Sequence, residues 1–244
     1  MPEPMLFNPQ AKVQLHWIAP ENAVEGESLA APLLVIDDCL SSPESLVNAA
    51  CQATFERDSG DFYPGVRAPL PQQYIDAMST TLSEKLRAIL GLTHSDAKCV
   101  FSAFSVANQA EKSLKPIQCI PHFDDTCANK FAVVHYLFQQ DHGGTGFFQH
   151  RKTGYCSISA QNQNHYMKTL GTQATTQGLP ALQYIQGSTD LFQEYHRVAA
   201  RFNRAIVYPC NLLHSGIINP DFALSSLPEQ GRLTANLALQ IDAG

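Results

Sequence analysis

Two places in the sequence carry a histidine and an aspartate two positions apart: His94-Ser-Asp96 and His122-Phe-Asp124. On an extended strand, residues i and i+2 point to the same side. Either pair could therefore offer an imidazole and a carboxylate to one metal ion. Two imidazoles and one carboxylate on one face of a metal, with the remaining positions open, form the donor set of non-haem Fe(II) oxygenases. A second histidine must then arrive from another strand. So short a motif also arises by chance in a chain with 9 His, and its surroundings must decide. His94-Ser-Asp96 follows a helix-like segment ending at Leu90-Gly91, among residues that form turns, so a polar turn is its expected role. His122-Phe-Asp124 follows the strand-like IQCIP and precedes an apolar run and a Gly-Gly pair. It is the better metal candidate. The plainer reading, a hydrogen-bonded histidine beside a surface acid, stands next to it.

The elements that would position these residues show in the side-chain pattern. Residues 12–18 alternate polar and apolar, which predicts a strand, and 33–37 form a short apolar run that predicts a buried one. Ser41-Ser42-Pro43-Glu44 has the chemistry of a helix start: serine as N-cap, proline next, an acid in the first turn. That helix is expected to reach about Phe55, with a loop around residues 61–67. Tyr74, Met78, Leu82, Leu86 and Leu90 recur every fourth position and mark one face of a helix over 71–90. From about residue 99 short strands are expected at 99–107, 116–120, 131–138, 146–149, 204–209, 212–218 and 232–241, a pattern of sandwiches and barrels with helices packed outside. Residues 160–188 are rich in Gln, Asn, Thr and Gly and read as a long loop or lid between two core strands. A short helix near 188–197 is expected to lead back. The reading is one mainly β domain over 1–244, with N-terminal strands and supporting helices in 1–98, a core in 99–241 and a polar insertion at about 160–188.

Bulk properties bound what such a domain does. The chain has 244 residues, 44% of them hydrophobic, with 13 Phe and 8 Tyr, enough for a large core and against disorder of the bulk. A net charge of −6 with no Lys/Arg block lacks the footprint of nucleic-acid or anionic-membrane binding. The first ten residues have no basic stretch followed by an apolar one, and no run reaches the roughly 20 apolar residues of a membrane span, so cytoplasm is the default expectation. Seven cysteines, 39, 51, 99, 119, 127, 156 and 210, form no CxxC. That argues against a disulfide framework and a cysteine zinc site, and for buried thiols. Nothing specifies an oligomeric state.

The stretch PHFDDTCANKFAVVHYLFQQDHGGTGFF, residues 121–148, resembles the prolyl 4-hydroxylase-like branch of the 2-oxoglutarate/Fe(II) oxygenase superfamily. That branch shows His-x-Asp, then an apolar strand ending in Tyr-Leu, then Gly-Gly-x-x-x-Phe, matched by His122/Asp124, Tyr136-Leu137 and Gly143-Gly144 with Phe147 or Phe148. The chain is also similar to an uncharacterised bacterial family of that superfamily through Tyr63-Pro-Gly-Val-Arg67 and Gly231-Arg-Leu-Thr234. The resemblance implies a double-stranded β-helix (jelly-roll, cupin-like) core with flanking helices, and iron held by His122, Asp124 and a distal histidine, His214. It implies 2-oxoglutarate as cosubstrate and O₂ as oxidant, with a basic residue on the cosubstrate's distal carboxylate. Arg232 suits that role, because a planar guanidinium binds a carboxylate at two points. Thr234 shares its strand face, and Tyr136 matches a family tyrosine that reaches the same carboxylate. Arg232 lies further from His214 than is usual in the family, so Arg201 and Arg204 are alternatives. Alternation puts His135 on the opposite face from Tyr136. Tyr63, Arg67, His150, Arg151 and Thr153 are candidates for the pocket rim, in loops that flank the core. The implied activity is hydroxylation of an amino acid, peptide or small molecule. Two other readings remain open: a cupin-like metalloenzyme that uses no 2-oxoglutarate, and a non-catalytic barrel serving as a binding module.

Overall fold

Side-chain periodicity and strand pairing agree through most of the computed structural model, which describes residues 5–21, 30–57, 60, 62–92, 96–219 and 224–241. Strands run at Lys12–Ile18 (β1), Ala31–Asp37 (β2), Gly65–Ala68 (β3), Ala97–Ala107 (β4), Lys130–Tyr136 (β5), Thr145–His150 (β6), Phe192–Val198 (β7), Arg204–Pro209 (β8), His214–Gly216 (β9) and Arg232–Ile241 (β10). The helices are Pro43–Gln52 (α1), Gln72–Leu90 (α2) and Gln163–Gln177 (α3). The larger sheet has the order β1-β2-β8-β5-β10-β4-β3 and the smaller one β7-β6-β9, with antiparallel pairing throughout. Among the described residues no helix is long and apolar enough to cross a membrane.

Period-two alternation gives the larger sheet two different faces. Phe131, Val133, Leu137, Val207, Leu233, Ala235, Leu237, Phe104 and Val106 pack with Leu46 and Ala50 of α1 and with Tyr74, Met78, Leu82 and Leu86 of α2. The helices thus cover that face. Ala132, Tyr136, Ile206 and Tyr208 point the other way and join Phe147 and Val198 of the smaller sheet. A cavity opens between the two sheets on this second side.

Helix ends follow local chemistry. Gly91 closes α2 in the left-handed region at φ 67°, where a side chain is disfavoured, and Leu90 at that end is exposed. Pro43 opens α1, which stops at Gln52 rather than near Phe55 because Ala53 turns extended.

Four expectations are corrected. Residues 116–119 form a 3₁₀ turn instead of a strand, since Pro116 offers no N–H to a ladder and Gln118 folds back on Lys115 through both its N–H and its side chain. Residues 65–68, expected as loop, are a strand. The polar 160–188 segment holds α3, whose buried residues are only Tyr166 and Gln173; so narrow a stripe leaves little periodicity to see. The helix expected near 188–197 is β7, whose bulge against β6 at Phe147/Phe148 interrupts the alternation. The cysteines are free thiols; Cys39, Cys119, Cys156 and Cys210 are buried, while Cys51 and Cys127 are exposed. His94 lies outside the described residues.

Candidate metal centre

His122 and His214 face each other across a single antiparallel bridge. The His122 N–H donates to His214 O at 2.9 Å, and the His214 N–H returns the bond to His122 O at 2.8 Å. One step on, the Asp124 N–H donates to Cys210 O at 2.8 Å. The His-x-Asp segment is thereby laid along the chain entering β9, and alternation sends His122 and Asp124 to one side and Phe123 to the other. Phe123 packs edge-on against Tyr166 of α3, ring centroids 6.3 Å apart.

The three side chains converge. One donor atom from each of His122, Asp124 and His214 lies within 4.8 Å of the others. The two imidazole Nε2 atoms each stand 3.6 Å from an oxygen of Asp124. His122 and Asp124 are about half exposed at the mouth, whereas the His214 side chain is 5% exposed. His214 Nδ1 is 2.9 Å from Leu212 O. A carbonyl only accepts, so Nδ1 carries a proton and Nε2 is the ring nitrogen turned toward Asp124, the orientation in which an imidazole can offer Nε2 to a metal. Tyr208 meets His214 edge-on at 4.9 Å. Burial, and after it the carboxylate of Asp124, push the Tyr208 phenol well above its usual range, so it stays protonated.

The same cluster lines a cavity of about 660 Å³ whose wall also includes Tyr63, Arg67, Thr145, Gly216, Arg232, Thr234 and Asn236. Arg232 is 5% exposed. Its Nη2 donates to Gly144 O at 3.0 Å, and its guanidinium sits near the Tyr136 and Phe138 rings. Among the described residues Nε meets no partner and no carboxylate pairs with the group. The Gly143-Gly144 pair is required here: β-carbons would fall 1.7 Å from Ile217 O and 1.9 Å from Val198 O.

Other expected residues lie elsewhere. The Tyr136 hydroxyl bonds Thr145 Oγ1 at 2.8 Å, so it is Thr145 that faces the cavity, and burial raises the Tyr136 phenol. His150 is fully buried, with Nδ1 at 2.9 Å from Thr153 and Nε2 at 2.7 Å from Gln173; it is a satisfied core histidine, not rim. Arg151 is turned to Thr189 O and Gln193. Of the alternative anchors, Arg204 is clamped by Asp37 at 2.6 Å and Arg201 is exposed near the same acid. His135 sits on the helix side, between Tyr74 and Asn203. Sequence reasoning missed Thr145, Tyr208, Gly216 and Asn236. Alternation along β8 and β10 puts Tyr208 and Asn236 on the Ala132 and Arg232 faces, but their types alone signal nothing.

Residues 20–239 match DUF6445, a family of unknown function. The chain belongs to that family. No curated protein matches the sequence. Among solved structures, the DUF6445 chain is similar to the non-heme alpha-ketoglutarate-dependent epimerase SnoN from nogalamycin biosynthesis: TM-score 0.47, 8% identity, 85% of this chain and 77% of that one. HygX from Streptomyces hygroscopicus, with nickel, 2-oxoglutarate and hygromycin B bound, gives a TM-score of 0.42 at 13% identity, over 85% and 82%. An N-substituted L-amino acid dioxygenase from Burkholderia ambifaria gives 0.37 at 9%, over 93% and 95%.

Proposed function

We propose that this DUF6445 chain is an Fe(II)- and 2-oxoglutarate-dependent oxygenase of the prolyl 4-hydroxylase-like kind. In this reading its two sheets form a double-stranded β-helix within a single domain, and it hydroxylates an amino acid, peptide or small molecule. One observation carries the reading: a buried guanidinium, Arg232, without a carboxylate partner among the described residues, shares a cavity with a two-histidine, one-aspartate cluster. An uncompensated buried cation costs several kcal/mol, and an acid ligand removes that cost. A metalloenzyme whose ligands carry no acid has no use for it.

Gly216 is two residues from His214 on β9, roughly 7 Å along a strand, and a β-carbon at Gly216 would stand 3.6 Å from Arg232 Nη2. The cation therefore lies beside the strand that carries His214, two residues along from it.

In this reading His122, Asp124 and His214 hold the iron. Arg232 takes the distal carboxylate, flanked by Thr234 and by Thr145, which Tyr136 orients. Tyr208 keeps the buried imidazole in place, and Ala132, Val134 and Ala238 exclude water from the wall. Fe(II), 2-oxoglutarate and O₂ supply the oxidising chemistry when bound, with 2-oxoglutarate leaving as succinate and CO₂.

Anaerobic titration of Fe(II)-loaded protein with 2-oxoglutarate tests this through the weak visible charge-transfer band of chelated cosubstrate. The band should form, vanish in Asp124→Ala with loss of iron, and need at least tenfold more 2-oxoglutarate in Arg232→Ala, which should keep its iron. Iron binding without a band would favour a cupin-like metalloenzyme. Absence of iron binding would favour a non-catalytic barrel.

A further inference from the structure

Strand register lays a trough across the cavity floor. Tyr208 of β8 stands opposite Ala132 of β5, Ala132 opposite Ala238 of β10, and Ala238 opposite Phe101 of β4. The four strands are neighbours in the larger sheet, and directly opposed residues share a face. One row of the floor thus runs ring, methyl, methyl, ring over three strand spacings, about 14 Å. All four residues line the cavity. The Tyr208 end is the metal end, since its ring meets that of His214 at 4.9 Å. The Phe101 end is the mouth, where that side chain is exposed. Val134, on the same face of β5 as Ala132, continues the apolar floor.

Two polar groups of this wall have bonding capacity to spare. Asn236 precedes Ala238 on the same face of β10, roughly 7 Å along the strand. Its Nδ2 donates to Ser105 Oγ at 2.8 Å and to Thr234 Oγ1 at 3.0 Å, while Thr234 Oγ1 itself donates to Ser105 O at 3.4 Å. That order of donors fixes the amide: both its hydrogens are used, and Oδ1 is an acceptor without a partner among the described residues. The Tyr208 hydroxyl, a donor at neutral pH, likewise bonds no described group. Charges, by contrast, are taken. Lys130 is paired with Asp125, and Arg67 is engaged within the protein, with the Tyr63 and Phe101 rings among its neighbours. A charged group laid over the alanines would lose its water and gain no counter-charge.

We propose that the trough takes the primary substrate as a neutral amide, a peptide-bonded or N-acylated amino acid with an apolar side chain. Its N–H donates to Asn236 Oδ1, its carbonyl oxygen accepts from Tyr208, and its side chain lies over Ala132 and Ala238. A trans amide points its N–H and C=O in opposite directions, which suits two groups set on β10 and β8, either side of β5. This rests on the oxygenase reading above and narrows its substrate.

The test uses Fe(II)-loaded full chain. The charge-transfer band with 2-oxoglutarate is recorded first, for the parent, Asn236→Leu, Tyr208→Phe and Ala238→Leu, and should form in all four. Succinate release is then measured with N-acetyl-L-amino acid amides of apolar side chain, with their N-methylated forms, which lack the N–H, and with the free L-amino acids. The N–H amides should stimulate release; the other two sets should not. For a stimulating amide, Asn236→Leu and Tyr208→Phe should each lower kcat/KM roughly tenfold to a hundredfold, mainly through KM. Ala238→Leu should exclude the larger side chains before the smaller. Free amino acids or N-methylated amides that work as well as the N–H amides would overturn the assignment. So would Asn236→Leu and Ala238→Leu proteins that keep the parent's kcat/KM, or silence from every amide in a parent that forms the band. No band in the parent would instead remove the oxygenase reading, and this inference with it.

Discussion

At the scale of single residues, protonation states are set by what each side chain touches. His135 is enclosed by the Tyr74 hydroxyl and by Asn203 Oδ1, each 3.1 Å from a ring nitrogen. Asn203 Oδ1 also accepts from the Leu40 N–H, so the imidazole Nε2 must donate to it, and in the neutral ring Nδ1 then accepts from the Tyr74 hydroxyl. Burial holds this histidine at about 4, below its ordinary 6.5. As pH falls the unfolded chain takes up the proton first. The contribution to stability is complete above about 6.5, is lost between 6.5 and 4, and totals up to about 3 kcal/mol. Denaturation midpoints measured from pH 7 to 4 should fall more steeply for the parent than for His135→Gln; equal slopes would contradict this. Gly216 makes a different residue-scale prediction. Valine there would occupy the space beside the Arg232 fork and should weaken 2-oxoglutarate at least tenfold while iron binding persists, read by the same titration. Single residues were legible in the sequence only where type and spacing are rare together. His122 and Asp124 stood out by their spacing together with the strand-like runs around them, which His94 and Asp96 lack. Thr145 and Tyr208 did not, because threonine and tyrosine are ordinary core and wall residues until strand register brings them to one place.

At the scale of elements, α2 was legible because five apolar residues recur at one spacing, and four of them are buried against the larger sheet. Leu82→Ala, at a fully buried position, should cost about 2–5 kcal/mol in chemical denaturation. The charge-transfer titration of the folded fraction should be unchanged, since the helix lies on the face away from the cavity. Elements whose pattern depends on distant partners were harder to read. β3 is four residues long and gains its identity from β4. The bulge in β7 shifts its side chains by one position midway, so no single period runs through it. α3 hides for the opposite reason. It is polar nearly all round and buries only two side chains, Tyr166 among the rings of His150 and Phe123, and Gln173 on His150 Nε2.

At the scale of the whole molecule, the candidate site exists only where two sheets meet. The three candidate metal ligands come from the smaller sheet's side, while Arg232, Thr234, Asn236 and Arg67 come from the larger. Ligands that bridge the sheets bind the folded chain alone, so their effect follows mass action. With Fe(II) present, 2-oxoglutarate at 100 times its Kd should add about 2.7 kcal/mol to unfolding, seen as a rise in Tm that Arg232→Ala largely removes. An unchanged Tm at saturation would mean that the ligand does not distinguish folded from unfolded chain. The meeting of the sheets also shapes how this sequence can drift. Tyr166 of the polar insertion braces Phe123, the residue between the two donors of the His-x-Asp segment. Substitutions over most of α3 should therefore be tolerated in a mutational scan scored by iron retention, while position 166 should accept little beyond another large ring. A stretch that looks the freest to vary thus carries, at one site, a constraint inherited from the candidate metal centre on its far side.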